Sequence, residues 1–221
     1  MSVNNPFFEI SLLPYQAPRF DAINDSHYRP AFDEAMRLKR ADIDAIIAQR
    51  AAPDFDNTVL ALEKSGAMLS RVSSVFFAMT SAHTNDDLQA LDEQFSTELA
   101  GLANDIWLND TLFARVEAVW QDREALDAES RRLTEEMYQH FVLAGARLNA
   151  DEKAELKALN TEAATLTSQF NQRLLAANKA GGLVVDDVHQ LDGLSAEEVA
   201  AAAHAAAEKG LTDRWLIPLL N

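Results

Sequence analysis

From Asn149 to Gly181 the side chains Leu156, Leu159, Ala163, Leu166, Phe170, Leu174 and Ala177 recur at three- and four-residue steps without a break. A strand alternates its faces every second residue, so only an α-helix gathers that set on one side. Asn149 supplies a start for this helix, and Gly181-Gly182 supplies a stop. The reading places Phe170 and its partners in the core, and the fold has to be one that buries long helical stripes. The neutral polar positions between Thr165 and Gln172 (Thr165, Thr167, Ser168, Gln169, Asn171, Gln172) carry no charge. That suggests burial of this face against another element, or a cleft lining, with structural burial the preferred reading.

The rest of the chain repeats the period. Pro30 fits the first turn of a helix running to about Arg50, which Ala52-Pro53 breaks. Asn57 or Thr58 can cap a second helix with Leu62, Leu69, Val72, Phe76 and Met79 on one face, widened by Val75 and Phe77 so that it is buried on two sides. Asn85, with Asp86 and Asp87, caps a third carrying Leu88, Leu91, Phe95, Leu99, Leu102 and Ile106. Asn109-Asp110 separates it from a fourth with Leu112, Phe113, Val116, Val119 and Trp120. A fifth carries Leu133, Met137, Phe141, Ala144 and Leu148. Only seven glycines and six prolines occur, near element ends, which argues against a sandwich or barrel.

The expected fold is therefore all-α: an antiparallel helical array over 25–180, an extended arm over 1–24, and a strand–helix–strand segment over 181–221. The arm holds Phe7, Phe8, Ile10, Leu12, Leu13, Tyr15 and Phe20 among three prolines, and is expected to lie on a helical surface with proline-fixed φ angles. In the last segment Leu216 and Ile217 are expected to pair with Val184 and Val185 like a small β-hairpin. Ser195 and Glu198 form a capping box between the two strands. The run Trp215 to Leu220 is apolar for a terminus, and reads as a chain cut at the start of a further part.

Acids outnumber bases 35 to 19, a net charge of −16, so nucleic acid and anionic membrane are not expected as partners. No apolar run approaches the ~20 residues of a membrane span. The first residues lack the pattern of a signal peptide, so the expected compartment is the cytoplasm. The absence of cysteine removes disulfides, thiolate metal sites and thiol nucleophiles together.

Chemistry is hard to place. His27, His83, His140, His189 and His204 begin no His-Glu-x-x-His pair, the spacing that sets two zinc ligands on one helix face. Gly181-Gly182 lacks the spacing of a phosphate loop. Ser70, Ser73 and Ser74 lie within a helical pattern without a nucleophile elbow. The acid pairs Asp86-Asp87, Glu135-Glu136 and Glu197-Glu198 read as caps and solvated faces. The expected catalytic set is none, the expected metal set is none, and substrate contacts are undefined.

Four segments nevertheless resemble one family in order and spacing: His27-Tyr28-Arg29-Pro30-Ala31-Phe32, then Pro53 to Thr58 with Ala61-Leu62-Glu63-Lys64-Ser65-Gly66, then His83-Thr84-Asn85-Asp86, then the helix from Leu159-Asn160 to Phe170-Asn171. Together they are similar to the thimet oligopeptidase family, over essentially the whole chain. The resemblance implies a cytosolic zinc peptidase, of the kind that removes C-terminal dipeptides from short peptides, about three times this length and folded as two helical lobes around a channel. It also implies that the zinc ligands and general base lie in a second half, so none is carried onto a residue here. On that reading the chain is the N-terminal, non-catalytic wall of the channel, an expressed fragment or a truncated frame. Its partners would be the missing catalytic half and, in the complete enzyme, short peptides. The alternatives are the same region of a related oligopeptidase, or a free-standing helical adaptor that binds partner helices.

Overall fold

The computed structural model describes residues 5–219. The chain forms two compact units, Met1–Leu166 and Thr167–Asn221.

In the first unit α1 spans Tyr28–Ile47, with Pro30 in its first turn as expected. It stops short of Arg50 because the backbone must already be extended at Ala52 to enter Pro53. The single second helix is a misreading. The chain instead makes a π-helical turn Phe55–Leu60, a short α2 at Ala61–Lys64, and α3 at Ala67–Ala82. The cap is Asp54, whose carboxylate accepts the Asn57 N–H at 2.7 Å while Asn57 Oδ1 accepts the Asp54 N–H at 3.2 Å. Gly66 breaks the helix with φ +76°, and a Cβ there would stand 2.6 Å from Lys39 Cδ. Its freed N–H donates to Asp42 Oδ2 at 3.1 Å, so α1 takes over the hydrogen bond that the helix gave up.

Helices α4 (Asp86–Trp107) and α5 (Asp110–Gln121) follow, the first with its expected cap and the second capped by Asn109, which was read only as a break. Asn85 Oδ1 accepts from Leu88 N, and Asn109 Oδ1 accepts from Leu112 N, both at 2.9 Å. Helix α6 spans Ala128–Leu143, so Ala144 and Leu148 fall outside the fifth helix expected to contain them. Gly145 turns the chain at φ +100°, where a Cβ would meet Leu156 Cδ2 at 2.7 Å.

The core forms where these helices cross. Phe32 of α1, Phe76 of α3 and Phe95 of α4 have no exposure to solvent. Phe32 stacks on Phe95 at 3.8 Å, and Phe76 meets both rings edge-on at 5.4 and 5.0 Å. A second aromatic group joins Trp107, Phe113, Tyr138 and Phe141 of α4, α5 and α6. The arm enters this core through Phe7, buried against Tyr28, and Ile23 packs against it at the arm's end. Phe8, Ile10, Leu12, Leu13, Tyr15 and Phe20 are exposed, and Tyr15 and Gln16 take positive φ, so the arm is neither laid down along its length nor fixed throughout by its prolines.

Helix α7, Ala150–Ala180, occupies the span expected for it. Its burial is the reverse of the expectation. Leu159, Leu166, Phe170 and Leu174 face solvent, Phe170 with 64 % of its surface exposed, while Lys153 and Ser168 are buried. In the first unit the inward side is fastened by polar bonds. Asn160 Nδ2 donates to Asn104 Oδ1 at 2.7 Å, and the hydroxyls of Thr97 and Thr165 lie 3.4 Å apart. Burial of the neutral polar face is thus seen at Ser168, but the apolar stripe opposite it is not core.

The second unit completes α7 and adds β1 (Gly182–Val185), α8 (Ala196–Glu208) and β2 (Trp215–Pro218). The strands pair antiparallel with Leu216 opposite Val184; Ile217 faces Leu183, and Trp215 faces Val185. Ser195 caps α8 in a reciprocal bond with Glu198, as expected. Leu220 of the apolar terminal run, and residues 1–4 of the start, lie outside the described residues.

Two truncations separate core from surface stripe. Phe76→Ala is expected to lower stability by about 3–5 kcal/mol, and Phe170→Ala by ~1 kcal/mol or less, in urea unfolding followed by circular dichroism.

Candidate functional site

Each segment that carries the family resemblance has an architectural task in this fold. In the first, Tyr28 and Phe32 are core, and Arg29 reaches α4 with a forked pair of 2.8 Å bonds to Glu98, its guanidinium 5.0 Å from the Phe95 ring. Those bonds, and Asp33 beside them, hold Arg29 above the ordinary arginine range. In the third, Asn85 caps α4 and also donates from Nδ2 to Asp25 Oδ2 at 2.8 Å, joining α4 to the entry of α1.

The second segment builds the most unusual local chemistry. Arg115 projects from the inner face of α5, between Leu112 and Val119, and is buried. Among the described residues its guanidinium meets no carboxylate. Nη1 donates to the carbonyls of Gln49 and Ala51 at 3.1 and 3.4 Å; Nη2 donates to Asn57 Oδ1 at 2.8 Å and Thr58 Oγ1 at 3.2 Å; Nε has no partner. Four neutral acceptors from the loop before α2 converge on one cation, which fixes that loop on α5. Ser65 and Gly66, at the end of the same segment, hold Lys39: its ammonium donates to the Ser65 carbonyl at 3.2 Å and to Ser65 Oγ. Burial pulls the Lys39 pKa below its ordinary value, against the opposing pull of Asp42 and Glu63.

Arg115 was not singled out by the sequence reading. The available signal was its position: with Leu112, Val116 and Val119 it completes the three- and four-residue spacing of the inner stripe of α5. A charged residue on a buried stripe is a request for acceptors, and Asn57 and Thr58 answer it.

The acids and imidazoles weighed from sequence do not converge. Asp86 and Asp87 lie in the first turn of α4, and Glu197 and Glu198 in that of α8, where the Ser195 N–H and hydroxyl lower the Glu198 pKa. Glu135 and Glu136 pair on the α6 surface with Arg123 and Arg132. His27 accepts the Asn24 N–H within its own turn, His140 lies against Trp107 with ring centres 4.1 Å apart, and His204 sits 3.7 Å from Glu208 on α8. His83 ends α3 and His189 lies in a 3-10 turn. Ser70, Ser73 and Ser74 sit on α3. Among the described residues no three His, Asp or Glu side chains are grouped to hold a metal ion, so the donor set of a zinc site is not assembled by them. No described helix is long and apolar enough to cross a membrane.

One cleft in the first unit, about 550 Å³, has an apolar floor of Ile43, Ile47, Leu102 and Ile106. Its rim sets Arg40 and Lys157 among Asp44, Asp105 and Asp110. Lys153, buried beside it, is ion-paired to Asp110. Its groups are opposed charges over hydrocarbon, without a nucleophile–base pair among them.

Comparison with known proteins places this architecture. No family model matches the chain. It is 68 % identical over 219 residues to a dipeptidyl carboxypeptidase of Salmonella typhimurium (strain LT2), which covers 98 % of this chain and 32 % of that protein. It is 67 % identical to the dipeptidyl carboxypeptidase of Escherichia coli K12, covering all of this chain and 33 % of the other. Oligopeptidase A of Escherichia coli K12 is 23 % identical over 94 % of the chain. The resemblance read from the motifs is borne out, and the chain spans about a third of the length of the curated relatives it matches.

Arg115→Met keeps the stem of the side chain and removes the donors. It is expected to cost about 1–3 kcal/mol, because four acceptors lose their shared donor and one of them, the Thr58 hydroxyl, is buried. Arg115→Lys should recover only part of that loss in thermal unfolding, since one ammonium cannot span all four acceptors.

Proposed function

We propose that this chain is the N-terminal, non-catalytic helical part of a zinc-dependent peptidyl-dipeptidase, an enzyme that removes C-terminal dipeptides from short peptides, and that it forms one wall of the substrate channel. The observation that carries the reading is the 67–68 % identity to dipeptidyl carboxypeptidases across the whole chain and only a third of their length. The reading assigns the metal and the general base to polypeptide beyond this third. Zinc, where it is held, would polarise the scissile carbonyl and activate water.

The part left to this chain is shape. A peptide loses less freedom on binding when the surface that receives it is already rigid. The Phe32–Phe76–Phe95 core and the Arg115 clamp provide such rigidity in the first unit. Helices packed this firmly narrow a passage to extended, short peptides and keep folded proteins out. Cytoplasmic location belongs to the same proposal. The related oligopeptidase region and the free-standing adaptor remain the alternatives, the latter using the exposed apolar face of α7 to bind partner helices.

The reading frame continued to its natural stop is expected to yield a protein with about one zinc per chain that releases dipeptides from the C-terminus of a blocked oligopeptide. The 221-residue chain alone should bind no stoichiometric zinc and leave the peptide intact. Metal analysis and mass spectrometry of the products read both. Dipeptide release by the short chain, or a stop codon directly after Asn221, would remove the proposal.

A further inference from the structure

Between α1, α4 and the first turn of α5 lies the cleft of about 550 Å³. Its floor is formed by the edges of the core residues Ile43, Leu102 and Ile106, with half-buried Ile47 beside them. Over that hydrocarbon stand three acids, Asp44, Asp105 and Asp110, and two bases, Arg40 and Lys157. Lys153, ion-paired to Asp110, brings the local charge to zero. In the chain as a whole acids outnumber bases 35 to 19, so this balance is a local departure from the prevailing surface.

The pairing within the cleft is uneven. Lys157 lies 3.7 Å from Asp105, and Lys153 holds Asp110. Arg40 and Asp44 stand one turn apart on α1, both exposed, and neither makes a hydrogen bond or ion pair with a described side chain. An arginine four residues before an acid is the weaker order for a helical ion pair, because each charge then faces the wrong end of the helix dipole. One cation and one anion, with Cβ atoms roughly 5–6 Å apart, are thus left over an apolar floor.

We propose that this cleft binds a small zwitterion with an aliphatic side chain, a free amino acid or a dipeptide. Arg40 takes its carboxylate, Asp44 takes its ammonium, and the side chain lies on Ile43, Ile47 and Ile106. A simple anion meets Asp44 and a simple cation meets Arg40, whereas a ligand with both ends satisfies each and adds no net charge to a balanced site. An uncharged hydrocarbon covers the floor but strips water from two ionised groups and gives them nothing in return. The inference goes beyond the functional reading, which leaves shape alone to this chain, and does not depend on it, since every residue of the cleft lies in the first unit.

Isoleucine methyl groups labelled with carbon-13 in the 221-residue chain report on the site, because Ile43, Ile47 and Ile106 line it while Ile23 and Ile217 lie elsewhere. Leucine and leucyl-leucine are each titrated to ~10 mM, about tenfold above a millimolar dissociation constant, and N-acetylleucine methylamide, with neither charged end, is the comparison. The three lining methyls are expected to shift with a zwitterion and not with the blocked compound, and Ile23 and Ile217 to stay in place. The tighter of the two zwitterions identifies the ligand as amino acid or dipeptide. Arg40→Gln and Asp44→Asn, both on the exposed side of α1, should each weaken binding about tenfold without changing the circular dichroism.

Lining methyls that do not move at the highest concentration overturn the proposal. So does an equal response to the blocked compound, which makes the cleft merely apolar. Affinity unchanged in both variants, or shifts confined to Ile23 or Ile217, also overturns it.

Discussion

Three phenylalanine rings close against one another at the crossing of α1, α3 and α4, and the first unit is arranged around them. Stacking of Phe32 on Phe95, with Phe76 edge-on to both, uses the attraction between ring faces and ring edges, and excludes water from the point where three helices meet. Once those rings are in place, Arg29 lies over Phe95 and reaches Glu98, and the Asn85 cap is brought to Asp25. Segments that a motif search reads as a signature are, in physical terms, the residues that seat one helix on the next.

A second constraint is polar. Burying a guanidinium without a carboxylate is expensive unless its donors find acceptors, and Arg115 finds them in two carbonyls, an amide and a hydroxyl. The cation thereby gathers the loop between α1 and α2, which Val59 and Phe55 also anchor to the core. Gly66 completes the same region: its left-handed turn opens room for the Lys39 stem and offers an N–H to Asp42. At the break in the second helix, side chains of α1 thus take the freed backbone groups: Lys39 the Ser65 carbonyl and Asp42 the Gly66 N–H.

Much of this was legible in the sequence, and the misses share a cause. The period of apolar residues located α4, α5 and α7, Pro30 located the start of α1, and the caps Asn85 and Ser195 stand where their side chains suggested. The breaks at Gly66 and Gly145 were not found, because a glycine inside an apolar period can be tolerated or can turn the chain, and the neighbour that decides is remote in sequence: Lys39 in one case, Leu156 in the other. Of the candidate site, the family resemblance was legible in four ordered segments. Arg115 was overlooked, since a single arginine on an apolar stripe is also consistent with a stem lying along the surface.

Helix α7 marks the boundary between the two kinds of information. Local periodicity is enough to establish a helix and to sort its side chains into two faces, since both follow from 3.6 residues per turn. It does not say which face meets the neighbours, because that depends on what the neighbours present. Here Asn104 and Thr97 present polar groups, so Asn160 and Thr165 turn inward and Leu159 and Leu166 are left outside. Periodicity is a property of the chain, whereas burial is a property of the pair of surfaces that come together, and only the folded arrangement contains both.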